Sequence, residues 1–440
     1  MAPAALPAGR WWRAGLAAAL LPLAAAASPP AGGPLPQPLT LAAALARLDA
    51  PHPALEAARA ARDTAAAELM AARVPMRPGL ALEWSPRTVK PAAGSDRRQV
   101  DDSFTRLSLS QRLYDFGATA AARRAAGARL AARRAGLLDA RQRRYLDIMG
   151  AFFDVLLADL RYEVDNQDMA YRYVRFDHGR ERARLGALSP VDLKALEHRY
   201  QQALLRRTEA EKRQLSTRLR LALLLDRPGE PPADLVAPEL PGNDRPPPEF
   251  EALWKAVAAA HPHLDALRRQ VAAARAALDA ARARRRPVLS AALEFSDYAR
   301  DIRSRNTAVA GLRLHVPLYQ GGAVRAAVAA ARARLRSREA ALKGAEYTLR
   351  QAVLDLVQRI ETLQVQRRAA RVRLDYREMN LDRARAVYDL EQRSTLGDAM
   401  TRLSEAQWQA ARVEYALALA WAELEALRGR LLANEGEAKP

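Results

Sequence analysis

The residues best equipped for chemistry are few. His261-Pro262-His263 offers two imidazoles in close succession, the only histidine pair that a metal would find attractive. The intervening proline and the matching His52-Pro53 fit a helix start better, so no metal is expected. Carboxylates are abundant, but with 27% charged residues they read as solvated helix faces rather than an acid/base pair. Asp192, just after Ser189-Pro190, and Asp398, just after Thr395-Leu396-Gly397, stand where a carboxylate favours a helix N-terminus. There is no phosphate-binding glycine loop, no Gly-x-Ser-x-Gly elbow and no His-Glu-x-x-His. Cysteine is absent, which excludes disulfides, thiolate metal sites, cysteine nucleophiles and a cysteine-borne lipid anchor. The chain reads as no enzyme, and no cofactor is expected.

The elements that position these residues follow from composition and period. Half of the 440 residues are hydrophobic yet only 6% are aromatic, a balance that suits long helices packed through small side chains. Lys+Arg exceed Asp+Glu by 70 to 50, and the net charge of +20 suits an anionic partner. Residues 1–28 read as a signal peptide, with Arg10 and Arg13 ahead of an apolar run that is too short for a spanning helix, and 29–38 as a Pro-rich tether.

The body of the chain is one unit used twice. His52-Pro53-Ala54-Leu55 matches His261-Pro262-His263-Leu264, Leu82-Glu83-Trp84-Ser85 matches Leu293-Glu294-Phe295-Ser296, and Ser189-Pro190-Val191-Asp192 matches Thr395-Leu396-Gly397-Asp398. The first repeat covers 39–225, a Pro-rich linker 226–248, the second repeat 249–430, and 431–440 form a C-terminal tail. Each repeat opens with a helix, 39–74 or 250–286, halted by proline. Two strands follow: 78–85 and 104–114, then 287–298 and 307–319. Leu80, Leu82, Trp84, Leu107, Leu109 and Leu113 fall on one face, with Glu83, Arg106 and Arg112 opposite. Leu289, Leu293, Phe295, Leu312 and Leu314 oppose Glu294, Arg313 and His315 in the same way. The stretches 87–102 and 299–306 read as loops, the longer one polar and mobile.

Such alternation fits either an antiparallel sheet on a soluble core or a transmembrane barrel. Four strands cannot close a barrel, since about eight are needed. A barrel therefore requires several chains. Long helices come next. Residues 117–185 contain no proline, which allows a helix of about 100 Å. Leu335, Leu342, Leu349, Leu356 and Leu363 recur every seven residues in the second repeat, with Val353 and Ile360 interleaved as in a coiled-coil seam.

This ordered set resembles the TolC-type outer-membrane efflux protein family over about residues 39–430. The most family-like residues are Val316-Pro317-Leu318-Tyr319-Gln320-Gly321-Gly322, Leu113-Tyr114-Asp115-Phe116-Gly117 and the 186–192 turn. The resemblance implies a mainly helical fold with a small β part. Three copies would share a 12-stranded outer-membrane barrel, four strands each, above a helical tunnel crossing the periplasm. It implies a homotrimeric, passive exit duct of a tripartite efflux or type I secretion system, in the outer membrane of a Gram-negative bacterium. The partners implied are outer-membrane lipid, a periplasmic adaptor and an inner-membrane pump of the RND, ABC or MFS class.

By the same resemblance Asp192 and Asp398 form a periplasmic gate, and Leu185, Gly186, Ala187, Ser394, Thr395, Leu396 and Gly397 form adaptor-contact tips. Glu83, Arg106, Arg112, Glu294, Arg313 and His315 line the barrel lumen. Gln392, Ser394 and Thr401 depart from the family's second tip. Two other readings stand beside this one: a basic coiled coil binding nucleic acid or another polyanion, and a periplasmic adaptor. The leader, the alternating strands and the absence of a nucleic-acid module weigh against nucleic acid, and the doubled, dominant helices weigh against an adaptor.

Overall fold

The computed structural model describes residues 35–90, 99–300, 305–391 and 396–432. The segment expected to be a signal peptide, most of the expected tether, parts of both expected loops (91–98 and 301–304), Gln392, Ser394 and Thr395, and nearly all of the expected tail lie outside them.

The opening helix of each repeat is broken by proline. In the first, α1 (Leu41–Leu45) and α2 (Pro53–Ala71) flank Pro51-His52, where a single helix over 39–74 was expected. The second, expected as a single helix over 250–286, has the same break at His261. His52 and His261 sit at N-cap positions with extended backbone, and each Nδ1 accepts a hydrogen bond from the amide two residues on, at 3.3 and 3.2 Å.

β1 (Gly79–Ser85) follows α2, then a short ladder of β2 (Thr88–Val89) with β3 (Val100–Asp101), then β4 (Phe104–Tyr114). The ladder ties down part of the loop expected to be mobile: Asp102 is buried and ion-paired to Arg87 and, across the sequence, to Arg305. α3 (Ala118–Arg184) is 67 residues, about 100 Å at roughly 1.5 Å per residue. It starts where Phe116 (φ 53) and Gly117 (φ 91) turn the chain through left-handed backbone. Buried Asp115 caps it, accepting from the Thr119 amide at 2.8 Å and from the Thr119 hydroxyl. α4 (Pro190–Leu224) returns alongside α3.

The second repeat runs α5 (Phe250–Ala260), α6 (Pro262–Ala283), β5 (Val288–Tyr298), β6 (Ala308–His315), α7 (Ala323–Glu391) and α8 (Leu396–Leu427). β6 ends before Val316-Pro317, short of the expected 307–319, because proline cannot donate to the ladder.

The four long strands form one antiparallel sheet in the order β1-β4-β5-β6. Its register places Leu80 beside Leu109, Leu109 beside Leu293 and Leu293 beside Ala310. A bulge between Arg112 and Tyr114 lets Tyr114 rather than Leu113 pair with Leu289, so Leu113 leaves the alternation it was expected to keep.

The helices pack through a seam of small and apolar residues. α3 lies against α2, α4, α6 and α8. Midway along it Ile148, Phe152 and Val155 are fully buried, and Phe153 stacks on Tyr415 of α8 at 4.6 Å. In the second repeat Val353, Val357 and Ile360 of α7 join Leu253 and Val257 of α5 and Leu417, Trp421 and Leu424 of α8. Of the heptad positions read from the sequence, Val353, Leu356, Ile360 and Leu363 are buried in this cluster, while Leu335, Leu342 and Leu349 are half-buried.

The Pro-rich stretch between the repeats is docked. Leu39 and Leu235 form a parallel bridge, and the Asn243 amide donates to the Glu414 carbonyl at 3.0 Å and to its carboxylate at 2.8 Å. Arg367 of α7 completes the clasp by pairing with Glu414 and Asp244. Those two carboxylates hold the Arg367 guanidinium above its usual range although burial pulls the other way, and Arg367 holds Asp244 below the usual carboxylate range.

Candidate functional site

The sheet has no core on either face. Leu82, Trp84 and Leu312 are 70, 72 and 72% exposed on the apolar side, and Leu80, Phe295 and Leu314 are exposed with them. Every residue of β6 is exposed. A soluble sheet buries its apolar face under helices or a second sheet; this one presents it bare. Among the described residues no helix is long and apolar enough to cross a membrane.

The opposite face is polar and self-neutralising near one end. Arg106 is cross-strand from Glu83 and diagonal to Glu294, and its guanidinium lies 3.7 Å from the first carboxylate and 2.9 Å from the second. Arg112 and Arg313 flank Ser290 in one cross-strand row, with Arg112 reaching back to Asp115 at 3.4 Å. His315 pairs with Val288 at the far end of this face. The six residues expected to line a lumen therefore share one side of the sheet, and this arrangement separates an apolar surface from a charged one across a single layer.

At the other end of the helices the first tip is a glycine-closed turn. Gly186 (φ 73) follows α3, its amide bonds to the Ala183 carbonyl, and the Ala187 amide reaches back to Arg182 at 2.8 Å. Leu185 is 82% exposed and Val191 78%, an apolar knob at the turn. Asp192 belongs to a cap: the Ser189 hydroxyl accepts from the Asp192 amide at 3.1 Å and donates to its carboxylate at 2.7 Å.

The second tip differs. Asp398 in the first turn of α8 pairs with Arg402 at 2.8 Å. Leu396 packs against Leu381, Ala384 and Ala399 rather than standing out. Gly397 lies under the Tyr171 ring of α3, so close that a Cβ there would come within 2.5 Å of the ring. Of the expected tip residues, Leu185, Gly186 and Ala187 are presented outward, while Leu396 and Gly397 are spent on packing. From Tyr171 α3 runs on to Arg184, about 20 Å further.

No group of three or more His, Cys, Asp or Glu suited to a metal occurs among the described residues. His261 is a helix cap held neutral: burial pushes its imidazole below the usual range despite nearby Asp139.

The outer membrane efflux protein model matches residues 44–227 and 253–430, most of the chain. The chain belongs to that family. It is accordingly an outer-membrane protein and a passive channel rather than an enzyme, its sheet at the membrane and its helices in the periplasm. The chain is also 28% identical over 345 residues to Protein CyaE of Bordetella pertussis, covering 74% of this chain and 71% of that one. The fold is similar to the Campylobacter jejuni CmeC outer membrane channel, with a TM-score of 0.73, 16% identity and coverage of 90% and 88% of the two chains. It is similar too to the open state of the Neisseria gonorrhoeae MtrE outer membrane channel, with a TM-score of 0.68, 18% identity and 89% of each chain covered. Membership of the family decides between the two readings of the strands in favour of a membrane sheet.

Two contacts had no sequence signal, and a third had one that the sequence reading passed over. Asp102 meets Arg305 from 203 positions away. Gly397 meets Tyr171 across the repeats. Asp115 was read only as part of a motif, although an aspartate just before Phe-Gly and a helix is a recognisable cap.

Proposed function

We propose that three copies of this chain assemble into one exit duct, with their twelve strands closing a barrel and their helices a periplasmic tunnel. The observation that carries this reading is the four-stranded sheet, free at the outer edges of β1 and β6 and covered on neither face. A supporting feature is the exposed small-residue stripe Ala326, Ala330, Ala333, Ser337, Ala341 and Gly344 of α7, which allows another helix to approach closely. In this assembly Glu83, Arg106, Arg112, Glu294, Arg313 and His315 line the lumen and the apolar face meets lipid.

The duct works without chemistry of its own. An inner-membrane pump supplies the energy and a periplasmic adaptor joins the two, docking on the exposed knob of the first tip around Leu185, Gly186 and Ala187. Ser394 and Thr395 complete the second contact. Asp192 and Asp398 set a carboxylate constriction whose charge is tempered by Ser189 and Arg402. The duct serves a tripartite efflux or type I secretion system, the pump choosing the cargo.

The test is fractionation of the expressed chain, with the membrane fraction run with and without boiling. An outer-membrane oligomer of three times the monomer mass supports the reading; a monomeric outer-membrane species overturns it. Asp192→Ala with Asp398→Ala should then raise single-channel conductance in a planar bilayer. Unchanged conductance and cation preference would remove the gate assignment.

A further inference from the structure

The positive charge of the chain is not spread evenly. The four helix ends that meet the sheet are the end of α2, the start of α3, the end of α6 and the start of α7. Segments 66–77, 117–138, 276–286 and 323–338 hold sixteen arginines against two carboxylates, Glu68 and Asp279. That is +14 of the chain's +20, in a band about 30 Å tall at roughly 1.5 Å per helical residue. Among the described residues only Arg129 and Arg282 of this band meet a carboxylate, Glu68 at 3.8 Å and Asp279 at 3.4 Å. All sixteen side chains are exposed.

Mutual repulsion makes such a band costly unless an anion occupies it. Its position says which. Directly above it, where strands pass into helices, Tyr114, Leu318 and Tyr319 are 54, 92 and 87% exposed, an aromatic and apolar rim of the kind found at a membrane–water interface. Arg285 precedes β5 by three residues, and Arg124 and Arg325 lie six and two residues past the first residues of α3 and α7, within two helical turns of the helix ends that meet the sheet. Each is therefore about 10 Å or less from the junction of strand and helix, at headgroup depth. α3 packs against both α2 and α6, and near its start Ala121, Ala125 and Ala132 are buried on one face and Ala126 and Leu130 on another. Its arginines fall on the two faces left, Arg129 and Arg133 on one and Arg124 and Arg134 on the other, so the outward side of the wall is basic whichever face that is.

We propose that this arginine collar binds anionic phospholipid headgroups at the periplasmic surface of the outer membrane, fixing the depth of the channel and recruiting a shell of phosphodiester lipid. The inference rests on the outer-membrane location and not on the trimer, the gate or the adaptor contact.

The experiment uses the full-length protein purified in a neutral detergent and equilibrated with equal amounts of phosphatidylglycerol and phosphatidylethanolamine, the retained lipid being measured by mass spectrometry. Phosphatidylglycerol should be retained in preference by about fivefold for each arginine in contact, and raising the salt should erode that preference. The collar variant Arg124→Gln/Arg285→Gln/Arg325→Gln should lose most of the preference. Arg199→Gln/Arg213→Gln/Arg383→Gln, with the same charge change far from the sheet, should keep it. Equal retention of the two lipids overturns the proposal, as does a preference that survives in the collar variant. So does displacement of the lipid by free glycerol phosphate or a short DNA duplex at equal concentration, which would make the collar a general anion site. A collar variant that changes channel ion selectivity while leaving lipid retention intact also overturns it, by placing these arginines on the lumen. If the protein proves monomeric, the trimeric reading fails while the lipid preference of the monomer still decides this one.

Discussion

Leu293 and Ala292 are neighbours in β5 on opposite faces of the sheet, and an arginine placed at each in turn should have opposite consequences. Leu293 sits in the middle row of the sheet between Leu109 and Ala310, 40% exposed on the apolar side. Ala292 sits between Ser110 and Gly311 on the polar side, with room for a longer side chain. An arginine facing lipid near the bilayer midplane costs about 2–4 kcal/mol. At about 3 kcal/mol per copy the folded fraction falls roughly 150-fold, and three well-separated copies would sum to about 9 kcal/mol. Much of a domain's usual stability is of that size. Leu293→Arg should therefore abolish the heat-resistant oligomer in the outer membrane and lower the guanidinium midpoint for unfolding from vesicles, whereas Ala292→Arg should leave both close to wild type. Assembly of Leu293→Arg at wild-type levels, or equal failure of Ala292→Arg, would refute the assignment of the two faces.

Three further perturbations probe the helices. Gly397→Ala should push α8 off Tyr171 at a cost of about 1–3 kcal/mol; because the chain has no cysteine, a bis-maleimide bridging Gln167→Cys and Ser404→Cys reports the separation, and unchanged cross-linking would show the contact is not tight. Arg367→Ala leaves half-buried Glu414 with only the longer Arg371 contact at 3.6 Å and should cost about 1–3 kcal/mol, read as a lower thermal midpoint in detergent; a change below about 0.5 kcal/mol would mean the clasp contributes nothing. His261 has its pKa lowered on folding, so the unfolded chain takes up the proton first, and this cap's contribution should be complete above the unfolded value of about 6.5 and fall as pH drops below it. His261→Asn keeps a capping acceptor and should flatten that dependence; a wild-type melting point independent of pH between about 7 and 5 would contradict it.

Local features of the chain were legible because local physics sets them. The prolines at 53, 190 and 262 fixed helix starts through their φ and missing donor, and the histidines and Ser189 before them were the capping acceptors. Period-two alternation gave β4 its bounds to the residue, and the seam of α7 is buried where the reading placed Val353, Leu356, Ile360 and Leu363, though Leu335, Leu342 and Leu349 are only half-buried. Two strand details were not legible: the bulge that ejects Leu113 depends on how β4 must bend against β5, and the early end of β6 depends on where Pro317 falls relative to its partner strand.

By itself, then, the sequence determined the element order, the duplication, the two faces of each strand and the absence of catalytic groups, all of which follow from residue type and spacing within a few turns of backbone. Only the tertiary structure decided that both faces of the sheet lie bare, that Gly397 seats beneath Tyr171, that the interrepeat segment is clasped by Arg367, and that four arginine-rich helix ends from four distant stretches form a single collar. The last three of these join residues roughly 50 to more than 200 positions apart, and no local preference encodes such a pairing: it is fixed only when long helices find their register and bring the charges and rings they carry to the same height.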